Sequence, residues 1–123
     1  MDLEKLEGWL RAYGAAWENR DAKAAERLFS ADASYYETPF GPPARGHGGI
    51  EEYWTAATQN QSNISFSWEI IGLADDVGFV RWQATFTRLM SNAEVALDGV
   101  FLLKFNNDGL CESLREWWHK REN

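Results

Sequence analysis

Apolar residues open the chain at spacings of three and four: Leu3, Leu6, Leu10, Tyr13 and Trp17 share one helical face. The pattern predicts a helix over residues 2–19, with Asp2 as its cap. Asn19-Arg20 ends it, and Asp21 is placed to cap a second, short helix over Ala22–Phe29. Ala33–Thr38 reads as a strand rich in tyrosine. Pro39–Gly46 then holds all three prolines of the chain and reads as a loop, with Phe40 placed to form the rim of a cavity. His47–Gln59 returns to a helical period, with Ile50, Tyr53, Trp54 and Ala57 on one side. From Ile64 the period is two. Ile64–Ile70 alternates strictly, and Val77–Met90, Glu94–Phe105 and Leu110–His119 follow as strands. Asn107-Asp108-Gly109 is a hairpin turn, and Ser91-Asn92-Ala93 turns the hairpin before it. The order α-α-β-α-β-β-β-β predicts one α+β domain over residues 1–123, its three helices gathered on one face of a curved antiparallel sheet.

The last strand carries the most unusual content. Strand side chains alternate, so Trp117 and Trp118 point to opposite faces, and both faces need apolar cover. Glu116 shares its face with Leu114 and Trp118, which sets a carboxylate among large apolar groups. That placement is costly unless the carboxylate is paired or has a task. Trp117 and His119 take the outer face. The strand over 77–90 offers two faces, Val80/Trp82/Ala84/Phe86 and Arg81/Gln83/Thr85/Thr87. A one-residue change in the 91–93 turn swaps which of them looks inward. With the polar set inside, Arg81 pairs with Glu116 and holds it ionised. With the apolar set inside, Glu116 stands nearly alone and its proton is held more tightly. Asp98, by alternation, opposes the Gly99/Phe101/Leu103 face and belongs to the surface.

Composition narrows the classes. A net charge of −7 excludes a nucleic-acid backbone as partner and disfavours anionic membranes. No apolar run approaches the ~18 residues of a membrane span, and Met1-Asp2-Leu3-Glu4 does not open a signal peptide. The single cysteine, Cys111, reads as a small packed residue, and the chain is expected to be cytoplasmic. His47 and His119 are too far apart for a metal-ligand pattern, and Gly46-His47-Gly48-Gly49 lacks the lysine and preceding strand of a phosphate loop, so neither metal nor cofactor is expected. Aromatic residues are 15% of the chain and include seven tryptophans, more than one small core requires. The surplus is expected to line a pocket. Trp17, Tyr36, Phe40, Trp54, Phe101 and Trp118, with Leu114, are its candidate walls, and its ligand a small, mostly apolar molecule, uncharged or weakly cationic. Trp117, with Trp82 as a second candidate, lies on the outer face, and a homodimer through that convex face covers them.

Several motifs together carry a resemblance over essentially the whole length: Tyr13-Gly-Ala-Ala-Trp17, Asp21 before the second helix, Leu28-Phe29 followed by Asp32-Ala33, Gly46-x-x-x-Ile50, Gly99-Val-Phe101 leading to Asp108-Gly109, and the Leu114-Arg115-Glu116-Trp117-Trp118 ending. The chain resembles the nuclear transport factor 2-like superfamily, especially its SnoaL-like (polyketide cyclase-like) bacterial members. The resemblance implies a cone: a bent sheet wrapped around three helices, with a deep apolar pocket open at one end. It does not fix an activity, since the superfamily includes isomerases, cyclases, dehydratases, epoxide hydrolases and non-catalytic binders. Against ketosteroid isomerase-like proteins, Tyr13 falls at the oxyanion-hole tyrosine, but the general base falls at Thr38 and the second oxyanion acid near Phe101. Against limonene-epoxide hydrolase-like proteins, Arg81-Trp82-Gln83 and Arg115-Glu116-Trp117-Trp118 fall at the catalytic stretches. Gln83 there can orient a water but cannot take its proton. Two functions follow as expectations. One is an acid/base enzyme on a small cyclic substrate, with Glu116 as proton donor or acceptor and Arg81, Gln83 or Tyr13 as polarising partners. The other is a non-catalytic ligand-binding or interaction domain.

Overall fold

In the computed structural model, which describes residues 1–123, three helices pack against one face of a six-stranded sheet. The first helix, α1 (Leu3–Glu18), starts where the Asp2 carboxylate accepts from the Lys5 backbone N–H at 2.8 Å. Its apolar stripe buries Leu6, Leu10, Tyr13 and Trp17, together with Trp9. Asp21 caps α2 (Ala22–Glu26) in the same way, accepting from Ala24. This helix stops earlier than its pattern predicts. The Leu28 carbonyl accepts from the Cys111 N–H at 3.0 Å, so the ladder of the last strand takes up the chain and β1 (Phe29–Tyr36) begins there.

Within the proline loop a two-residue strand, β2 (Ala44–Arg45), pairs with β1 and leads into α3 (Gly46–Thr58). Four long strands follow: β3 (Gln61–Ala74), β4 (Val77–Arg88), β5 (Glu94–Phe105) and β6 (Cys111–Glu122). The spatial order is β2-β1-β6-β5-β4-β3. The sheet is not wholly antiparallel as its hairpins imply, because β1 runs parallel to β6. Both β3 and β6 extend beyond their predicted ends. In β3 the strict alternation is broken by irregularities between Ser62 and Ser65 and between Ile70 and Gly72, with Asn63 at φ 52°. Such bulges bend and twist a strand, which curls this edge of the sheet.

Turn chemistry sets the register. Asn92 takes φ 60° at the tip of the β4–β5 hairpin, and Thr87 pairs with Glu94. Val80, Trp82, Ala84 and Phe86 consequently face the helices and are buried. Trp82, expected as a candidate for the outer face, belongs to this buried set. Gly99 lies opposite both Trp82 and Trp118. A Cβ there would sit 2.5 Å from the Trp117 carbonyl oxygen and 2.8 Å from the Trp118 Cβ, so only glycine allows this approach. Leu6, Phe29, Ile50, Phe101, Leu103 and Leu114 fill the deep end of the core. No helix is long and apolar enough to cross a membrane.

Candidate functional site

Alternation along β6 builds one wall of the site. Leu114, Glu116, Trp118 and Lys120 share the inner face; Leu114 is fully buried, Glu116 is 6% exposed and Trp118 38% exposed. The inner face thus runs from core to mouth along a single strand. Opposite it, α1 contributes Tyr13 and Trp17, β1 contributes Tyr35, and α3 contributes Tyr53 and Trp54. The helices do not fill the concavity. They leave a cavity of about 200 Å³ lined by these rings, with Glu116 in its wall and Arg88 and Lys120 also lining it.

The polar groups within it are few and specific. Tyr13 and Tyr35 share a hydrogen bond, 2.7 Å between hydroxyl oxygens. Trp17 donates its indole N–H to Gln61 Oε1 at 2.8 Å, which fixes Gln61 at the edge. The Trp54 and Trp82 indole N–H groups are buried with no partner. The Glu116 carboxyl makes no ion pair, and its side chain enters no hydrogen bond. Burial pushes it well above the ordinary 4.5, and the negative charge of Glu37 pushes it further. Burial likewise raises Tyr13, Tyr35 and Tyr53, and the Glu116 charge adds to each. These shifts all favour the protonated forms, a carboxylic acid and tyrosine hydroxyls that can donate inside an apolar chamber, the arrangement that stabilises negative charge developing on a substrate oxygen.

Tyr13, Trp17, Trp54, Glu116 and Trp118 converge on the cavity. Phe101 and Leu114 are fully buried but pack in the core rather than lining the cavity. Arg81 and Gln83 do not meet Glu116. They lie on the opposite face of β4, where Arg81 Nη2 reaches Asp98 Oδ2 at 2.6 Å and Gln83 Nε2 reaches the same oxygen at 3.1 Å. Burying the apolar set of β4 spares the desolvation of a guanidinium. Tyr36 also faces outward, with the Arg115 guanidinium 3.8 Å from its ring centroid, and Phe40 stands 97% exposed on the proline loop.

Several contributors went unassigned in the pattern: Tyr35, Tyr53, Gln61, Arg88, Lys120 and, acting through its charge, Glu37. Ala33 and Tyr35 are both buried, so the inner parity of β1 is odd. A Tyr35-Tyr36 pair hides that parity, because either ring fits either face. Tyr53 was legible, since it lies on the apolar side of its helix.

The family model described as a SnoaL-like domain matches residues 10–113. A search of curated proteins finds no match. Among solved structures, the chain is similar to SalBIII, described as an epoxide hydrolase/cyclase-like enzyme in pyran ring formation in the polyether salinomycin. Identity is 16%, coverage 96% of this chain and 93% of that one, and the TM-score 0.82. It is similar to a Δ5-3-ketosteroid isomerase from Mycobacterium sp. at 13% identity, with 97% and 98% covered and a TM-score of 0.82. It is also similar to a computationally designed 17-OHP binder at 15% identity, with 95% and 96% covered and a TM-score of 0.81. At these identities the structural likeness speaks for the fold.

Proposed function

The chain belongs to the SnoaL-like domain family, and from that premise we propose that it is a proton-donor enzyme that isomerises or cyclises a small ring-forming substrate. The observation that carries this reading is the unpaired, buried carboxyl of Glu116 in the wall of an aromatic cavity, close enough to Tyr13, Tyr35 and Tyr53 for its charge to raise all three. Register deepens the point. Glu116 pairs directly with Phe101, so an acid on β6 stands beside the place where an isomerase of this fold keeps one on β5.

The chemistry follows from what the cavity contains. A carbonyl or epoxide oxygen bound at Glu116 takes its proton, assisted by a hydrogen bond from Tyr13, itself oriented by Tyr35. The carbon bearing that oxygen becomes electrophilic. Gln83 lies outside, and no second carboxylate lines the chamber to activate a water. The nucleophile therefore comes from the substrate itself: its hydroxyl or enol attacks that carbon, a ring bond forms as the epoxide C–O bond (or the carbonyl π bond) breaks to leave a hydroxyl, and the proton the nucleophile sheds returns to the Glu116 carboxylate. The ring-forming role stated for SalBIII supports this direction over hydrolysis. Turnover of a panel of epoxy alcohols and cyclic enones, followed by mass spectrometry, tests it. Glu116→Gln abolishes turnover while the fold persists. Equal turnover by that variant removes the assignment.

The presence of only one carboxyl in the cavity favours a second reading, a ligand-binding domain without catalysis, a use to which the designed 17-OHP binder puts the same fold. In that case Glu116→Gln shifts affinity alone, and Trp54→Ala removes binding.

A further inference from the structure

The mouth of the cavity has a chemistry that its floor does not need. The inner face of β4 runs Trp82, Ala84, Phe86 and then Arg88; that of β6 runs Leu114, Glu116, Trp118 and then Lys120. Both walls pass from apolar to cationic at the same end, and both cations line the cavity. One carboxylate, Glu122, serves the two of them. Arg88 Nε and Nη2 reach its oxygens at 2.9 and 3.2 Å, and Lys120 Nζ reaches one at 3.6 Å. A third cation stands at this rim, since Arg20 Nη1 donates at 3.2 Å to the carbonyl of Gln61, the residue paired with Arg88. Two cations share one acid and a third stands beside Gln61, a local excess of positive charge in a chain of net charge −7 that a cleft focuses on whatever enters it.

The spacing defines what fits. Glu116 and Lys120 are four residues apart on one strand, about 13 Å between Cα atoms at ~3.3 Å per residue. With both side chains reaching inward, that interval matches a single six-membered ring bearing a polar group at each end. The donors of the floor call for an acceptor oxygen at the inner end. Glu122 shows which group the rim holds at the outer end, because it is itself a carboxylate seated between Arg88 and Lys120.

We propose that the ligand is a compact ring compound carrying a carboxylate tail, which displaces Glu122 from between Arg88 and Lys120 while its carbonyl or epoxide oxygen meets Glu116. This deepens the proposed function and rests on its cavity. It also replaces the expected uncharged or weakly cationic ligand with an anionic one.

Calorimetric titration of the full chain with three rigid probes tests it: acetophenone, para-acetylbenzamide and para-acetylbenzoate. The first has no tail, the second a neutral tail, the third an anionic one. The benzoate is expected to bind about tenfold tighter than the benzamide, as a charge-assisted pair requires, with the gap shrinking in added salt. Lys120→Met weakens the benzoate several-fold and the benzamide far less, so the gap between the two probes narrows. Glu122→Gln acts oppositely and tightens the benzoate, because it frees both cations. Benzoate and benzamide binding alike, or Glu122→Gln weakening the benzoate, overturns the anionic tail while leaving the cavity standing. Binding of none of the three removes the cavity reading and the tail with it.

Discussion

Replacing Glu116 by glutamine separates the cost of this residue from its task. Glutamine keeps the shape of the protonated acid and cannot ionise. In the wild type the folded state holds the Glu116 proton well above the ordinary 4.5 of the unfolded chain. Below that value both states are protonated and the group leaves stability untouched. Above it the unfolded chain releases the proton while the folded one keeps it, so stability falls as pH rises, by about 1.4 kcal/mol per pH unit, until the pH passes the folded value. Glu116→Gln lacks this slope. For a domain of this size, one such unit moves the melting temperature by roughly 5 °C. The difference in melting temperature between variant and wild type is therefore flat below the ordinary carboxylate value and widens in favour of glutamine as pH rises above it, until the folded value is passed. Asp98 and Glu122, whose carboxyls Arg81 and Arg88 hold below their ordinary values, lose stability in the opposite direction as pH falls. They are common to both proteins and cancel in the difference. Thermal melts followed by circular dichroism from about pH 4 to pH 8 give both curves. Parallel curves would falsify the buried, proton-holding acid, whatever the absolute stability of the variant.

Other perturbations address the remaining walls. Gly99→Ala forces a Cβ against the Trp117 carbonyl, the Trp118 Cβ and the Trp82 ring; it should destabilise by about 1–3 kcal/mol in denaturant melts and displace Trp82 toward the cavity, and a neutral result refutes the close approach. Arg81→Ala breaks an exposed ion pair with Asp98, so chemical denaturation should register little change and activity should persist; loss of turnover would return Arg81 to the site. Trp117 and Val100 pair across β5 and β6 on the outer face, 47% and 38% exposed, with Ile71 62% exposed nearby. We propose that a second copy of the chain covers them, and sedimentation should show a dimer that Trp117→Asp dissociates; a monomer in the unaltered protein at high micromolar concentration refutes it.

The fold was legible because its signals are local and redundant. The α1 stripe, the Asp2 and Asp21 caps, the hairpin turn at Asn107–Gly109 and the alternation of β4 to β6 each point to one element. The parallel pairing of β1 with β6 was not legible, because no turn joins them and nothing near either strand encodes its neighbour. The site divided along the same line. Glu116 and Trp118 were readable, since an acid flanked at i−2 and i+2 by apolar groups has one inner face. Arg81 and Gln83 entered through a resemblance while either face of β4 could have looked inward; the fold turns the larger apolar set of β4 against the helices. Tyr35 and Tyr36 could not be told apart by pattern, since both are tyrosine and β1 carries few apolar neighbours to fix its parity.

The arrangement along β6 explains why an acid can be kept where it weakens the fold. Leu114 anchors the strand in the core, and Trp118 hydrogen-bonds through its indole N–H to the Glu37 carbonyl at 3.2 Å, tying β6 to the end of β1. Between these fixed points Glu116 has no partner of its own, and its carboxyl is held by the positions of its neighbours rather than by a bond. A salt bridge there would remove the stability cost and, with it, the proton. Arg81 lies on the outer face of β4, committed to Asp98. Turning that guanidinium inward would ionise Glu116 and convert the donor into an acceptor. The outward face of Arg81 is thus part of what keeps the cavity acidic in the chemical sense, and the cations that remain inside stand at the mouth, where Glu122 meets them first.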